Sequence, residues 1–228
     1  MKNLSIVGFA LVACLICSNA SAQDAAVSTD DISGDGNKMA IGGYIALGMA
    51  HEVGDYDDAK FRFAGGGGAY FDFHLTPLLA LEAGLGIVGK GAREEGTIEE
   101  MGYVADYETR LKLTYLTIPL GVMLSIKGLQ IGAAWELAIA LAGKSKSESG
   151  DTETEHTWGG DDWDNFRRFN MGPRLRVGYA IPVGPIAIVP GMYWSLHVLN
   201  EYKDMPDDFD DSIRAMNIMF LVAVEFGL

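Results

Sequence analysis

The chain has 228 residues, a formal net charge of −14 and 49% hydrophobic residues. An acid excess of that size excludes nucleic acid as a partner, because phosphate backbones are held by clustered Lys and Arg. After residue 22 no run of 18 apolar residues occurs, which excludes a membrane-spanning helix, and the 2 cysteines, Cys14 and Cys17, precede that point, so no disulfide frames the fold.

Residues 1–22 read as a secretory signal peptide, with Lys2, an apolar run from Leu4 to Cys17, and Ala20-Ser21-Ala22 ahead of Gln23. An alternative processing site is Leu11-Val12-Ala13-Cys14, which has the look of a lipobox and would leave an acylated Cys14. Residues 23–37 (QDAAVSTDDISGDGN) are small and polar and predict a flexible extension.

From Lys38 onward the dominant period is two. It predicts eight strands, near 39–50, 60–75, 79–91, 108–126, 129–143, 167–181, 186–198 and 213–228. Short turns at Thr76-Pro77-Leu78, Lys127-Gly128 and Pro182-Val183-Gly184-Pro185 alternate with long connections near 51–59, 92–107, 144–166 and 199–212. That alternation predicts an all-β, eight-stranded antiparallel up-and-down barrel of the transmembrane type over residues 38–228. Pro119, Pro173 and Pro190 lack the donor that a central strand needs, so bulges or rim positions are expected there.

The two faces decide what surrounds such a barrel. In FRFAGGGGAYFDFHL, Phe61, Phe63, Phe71, Phe73 and Leu75 share one parity; in the first strand Ala40, Gly42, Ala46 and Gly48 share a face that also carries Tyr44. A bare glycine and alanine face suits a crowded lumen, not water. The bulky face then meets lipid, with Phe61, Phe63, Phe166 and Phe169 at one rim and Phe71, Phe73, Tyr179 and Phe226 at the other. The alternative, a soluble barrel, would bury Leu47, Phe71 and Leu137 in a central core.

Most of the 31 acidic residues fall in the long connections, in tips such as GDYDD, REEGTIEE, GGDDWD and DMPDDFDD. None has the spacing of a calcium loop. A solvated, self-repelling cap is expected, with weakly held divalent cations, or cation bridges to lipid headgroups, as the sharper reading. At lumen parity lie Asp72, Glu82, Glu136, Glu225, Arg174 and Arg176, which are expected to pair across the interior and plug it, because lone buried charges are costly. Lys60, Arg62, Lys90, Lys144 and Arg168 are expected to form a basic collar beneath the acidic tips. A gated, anion-preferring path is the alternative to a plug.

Ser195 and His197 share a face at a spacing that would let a base activate a nucleophile. That face is the lumen by parity, so both read as polar fillers, as does His74 paired with Asp72. No zinc spacing or phosphate-cradling loop occurs. No catalytic residue, no metal site and no cofactor are expected.

The run Leu79 to Ala92 (LALEAGLGIVGKGA), then Tyr115 to Leu120 (YLTIPL), then a glycine-rich strand after a short turn, resembles the PorT-like outer-membrane β-barrel proteins of Bacteroidota. The resemblance implies an eight-stranded barrel in the bacterial outer membrane, some of whose relatives look like parts of secretion or gliding machinery, and it carries no catalytic residue. The chain departs from the pattern by ending Phe226-Gly227-Leu228 rather than on an aromatic residue. The function expected is non-enzymatic: structural, adhesive, or a part of an envelope or secretion assembly. A narrow pore for small solutes and a lipid-modifying hydrolase are the alternatives. Expected partners are outer-membrane lipids and envelope or secretion-system proteins.

Overall fold

The computed structural model describes residues 38–53, 59–100, 103–149, 152–159, 166–200 and 214–228. The expected signal peptide, the flexible extension and Cys14 lie outside the described residues, and so do most of the acidic tips at 54–58, 159–164 and 204–211. The strands in chain order are β1 (Met39–Val53), β2 (Ala59–Lys60), β3 (Arg62–Thr76), β4 (Leu79–Lys90), β5 (Arg93–Glu100) and β6 (Tyr103–Ile126). They continue with β7 (Leu129–Ser149), β8 (Thr152–Gly159), β9 (Phe169–Tyr179), β10 (Ile181–Val183), β11 (Ile186–Leu196) and β12 (Arg214–Gly227).

Eight of these pair antiparallel in a complete ring, β1-β3-β4-β6-β7-β9-β11-β12 and back to β1. Each is joined to the next in the chain, so the meander closes when β12 pairs with β1, from Ala40 opposite Gly227 to Val53 opposite Arg214. Closure leaves no ladder edge facing hydrocarbon, where an unmet backbone group costs several kcal/mol. The tightest turn has Lys127 at φ 51° and Gly128 at φ 87°. Positive φ at both central residues is the two-residue turn whose twist matches a hairpin.

The faces sort as the alternation predicts. Leu47 is 56% exposed, Phe63 70% and Phe71 38%, while Ala40, Ala46, Ala50 and Ala64 are buried inside. An apolar outer surface over an interior of small and charged groups is the inverse of a soluble barrel. Phe166 is a correction: it is buried, stacked 4.7 Å from Trp158, with Leu111, Leu113 and Tyr115 in an apolar cluster at the lumen mouth, and does not join the lipid-facing rim.

The prolines sit where one neighbouring ladder lapses, and none is bulged. The β4–β6 pairing skips Pro119, and the β9–β11 pairing ends at Arg174 beside Pro173 and at Gly191 beside Pro190. The missing donor falls on the unpaired side each time.

Two of the connections expected to be loops are strands. At Gly91 (φ 126°) the chain turns out of β4 and continues as β5; β5 pairs the upper half of β6, which pairs the upper half of β7, which pairs β8. With β2 at its other edge, this sheet rises from one side of the barrel. At about 3.3 Å per residue, the part of β6 above Lys112 is long enough to stand roughly 30 Å beyond the wall.

Candidate functional site

The lumen is crossed by two linked polar clusters. In the first, Arg176 on β9 reaches Glu82 on β4, three strands round the ring, at 2.8 Å. Its second terminal nitrogen donates to Gln130 Oε1 at 3.1 Å, Gln130 Nε2 donates to Glu225 at 3.0 Å, and the Tyr70 hydroxyl donates to Glu225 at 3.3 Å. The guanidinium also lies 4.5 Å over the Tyr70 ring. Tyr70 can occupy this level because Gly42 stands opposite: a Cβ there would meet the ring at 2.2 Å. Asp72 is buried beside Glu82, its register partner, with Oδ1 unbonded. His74 has no hydrogen-bond partner on either nitrogen, so the expected Asp72–His74 pair does not form.

In the second cluster Glu136 takes Arg174 at 3.3 Å and Lys90 at 3.1 Å. Arg174 sits 4.1 Å over the Tyr193 ring. Its carboxylate partner lies on β7, the adjacent strand, rather than across the lumen. Lys90 does cross: its ammonium is 2.7 Å from His197 Nε2 and 3.4 Å from Ser195 Oγ, both on the opposite wall. An ammonium only donates, so Nε2 accepts and the neutral imidazole carries its proton on Nδ1. The His197 ring meets Tyr115 edge-on at 5.0 Å. Ser195 and His197 are both buried in the lumen, away from any lipid substrate on the outer face.

Lys90 is thus placed apart from the collar it was expected to join; it is fully buried and supplies a cation to the interior. The other four lie at the loop-side end. Lys60 pairs with Glu95, Lys144 with Glu155 at 2.7 Å, Arg62 donates to the carbonyls of Lys90 and Leu111 at 3.0 and 3.2 Å, and Arg168 donates to the carbonyl of Ala140 at 3.4 Å.

Sequence reasoning missed the rest of this collar. Register sets Lys60 opposite Arg93, Arg93 opposite Arg110, and Arg110 opposite Lys146, with Lys112 opposite Lys144 in the row nearer the barrel. Register partners project from one face, here the outer one. Glu95 and Glu108 interleave, paired to Lys60, Arg93 and Arg110. Hydrogen bonds from Lys60 to Glu95, from Arg110 to Glu108 and from Lys144 to Glu155 hold those carboxyls below the ordinary carboxylate range. Among the described residues no group of three or more His, Cys, Asp or Glu side chains could hold a metal ion.

Residues 22–200 match the family model described as "Outer membrane protein beta-barrel domain". No curated protein matches the sequence. Among solved structures the chain is similar to Neisserial surface protein A, with 9% identity, 84% of this chain and 97% of that chain covered, and a TM-score of 0.42. It is similar to Ail, the attachment invasion locus protein of Yersinia pestis, with 12% identity, 81% and 98% covered, and a TM-score of 0.37. The outer membrane protein OprG from Pseudomonas aeruginosa aligns at 11% identity, 87% and 100% covered, with a TM-score of 0.34.

Proposed function

This chain belongs to the outer membrane protein β-barrel domain family of the bacterial outer membrane, and from that premise we propose that it is a non-conducting, non-enzymatic barrel that anchors a projecting β-sheet at the cell surface. The sheet would serve adhesion or docking within an envelope or secretion assembly, a role in line with the PorT-like resemblance of Leu79–Ala92 and Tyr115–Leu120.

One observation carries the reading: Lys90, fully buried, ties Glu136 to His197 and Ser195 on the opposite wall. A hydrated path would need that ammonium to leave its partners. Tyr193, Tyr115, Met123 and Met219, all buried, fill the remaining levels of the interior. Planar-bilayer recording tests it. The purified protein is expected to give no steady single-channel steps; reproducible steps from the wild-type chain would replace this reading with that of a narrow pore.

A further inference from the structure

We propose that a recess at the loop-side rim binds the phosphate-bearing headgroup of an outer-leaflet lipid. The recess has a volume of about 300 Å³ and is lined by Phe61, Arg62, Phe63, Arg93, Arg110 and Lys112. Four cations and two aromatics meet there, and no carboxylate lines it, in a chain whose net charge is −14.

Its position gives the occupant. Directly toward the barrel on β6 the outer face continues as Leu120 and Val122, and on β3 as Phe71 and Phe73, all exposed to the lipid side. Phe61 and Phe63 end that band, and the cationic row begins at once above it. An amphiphile with its acyl chains against the phenylalanines would bring its phosphate level with Arg93, Arg110 and Lys112. Long connections of such barrels face the cell exterior, so the leaflet is the outer one.

The cations are available. Arg93 and Arg110 are 42% and 43% exposed at the side chain. Their partners Glu95 and Glu108 serve several cations at once, and among the described residues no carboxylate lies within ion-pair distance of Lys112. Arg62 is held in the floor by two carbonyls, which fixes its charge without neutralising it. Forked guanidiniums with a neighbouring ammonium suit a phosphate dianion, through charge-assisted bonds.

The site depends on the membrane setting of the barrel and not on a sealed lumen, so conductance and lipid binding can fail separately. The test uses phosphatidylcholine nanodiscs with and without bisphosphorylated lipid A, followed by native mass spectrometry of the released full chain. Wild-type protein is expected to retain lipid A, and the Arg110→Gln/Lys112→Gln variant to retain it on the order of tenfold less tightly, as for the loss of one charge-assisted contact. Arg168→Gln, elsewhere on the rim, is expected to bind as wild type. A shift of the unboiled band on a denaturing gel checks that each variant is folded. Equal retention by the double variant, equal retention of dephosphorylated lipid A, or complete displacement by inorganic phosphate alone would overturn the proposal.

Discussion

Lys90 shows how much one side chain can decide in a narrow lumen. Its ammonium satisfies Glu136 and donates to His197, so Lys90→Met leaves a buried carboxylate with Arg174 as its remaining partner. Removing one member of a buried pair costs ~3–5 kcal/mol, whereas the same change at an exposed rim would cost about 1 kcal/mol or less. The midpoint of urea unfolding in lipid vesicles should therefore fall sharply for Lys90→Met and shift little for Lys60→Met. Adding Glu136→Leu should return part of the loss, with a coupling of ~0.5–3 kcal/mol between the sites. Equal small shifts for Lys90→Met and Lys60→Met would mean that Lys90 reaches solvent after all. The height of Lys90 was not legible in the sequence. Parity places a residue inside or outside, but strands tilted by about 35–45° carry residues of equal index to different levels.

The elements divide by what their two faces meet. The barrel strands have lipid on one face and a crowded interior on the other, and this contrast writes period two into β1, β3, β4 and the lower part of β7, where it could be read directly. The projecting sheet is wetted on both faces. Segments such as REEGTIEE in β5 and KSKSES at the end of β7 therefore show no hydrophobic alternation, and they read as loops. What holds them is a ladder plus exposed ion pairs, Lys60 to Glu95, Arg93 to Glu108, Lys144 to Glu155 and Lys146 to Glu153. These carboxyls titrate below the ordinary value of 4.5. Their contribution is complete above that value and is lost as pH falls through the lower, folded value. Hydrogen exchange, corrected for the intrinsic rate, should show residues 93–110 and 142–159 losing protection between about pH 5 and pH 2 while β1 and β12 keep theirs. Unchanged protection across that range would show that the backbone ladder alone holds the sheet.

At the scale of the whole molecule, the seam between the first and last strands makes the barrel a single cooperative object. β12 hydrogen-bonds β1 on one side and β11 on the other along its entire length. The chain cannot seal in hydrocarbon until its last residues are in place. Opening the ring would leave two edges of unmet donors and acceptors, each group costing several kcal/mol in lipid. The lumen network spans the same seam: Glu225 on β12 takes Gln130 from β7 and Tyr70 from β3. Loss of one strand thus removes backbone closure and side-chain bracing together. The full-length protein should resist detergent unfolding without heat, so that unboiled and boiled samples run at different positions on a denaturing gel. A chain ending at residue 213 keeps every other hairpin yet should show no such shift, because β1 and β11 are both left as open edges. Heat-dependent migration in the truncated chain would show that the remaining strands close without β12, and the ring drawn here would have to be redrawn with seven.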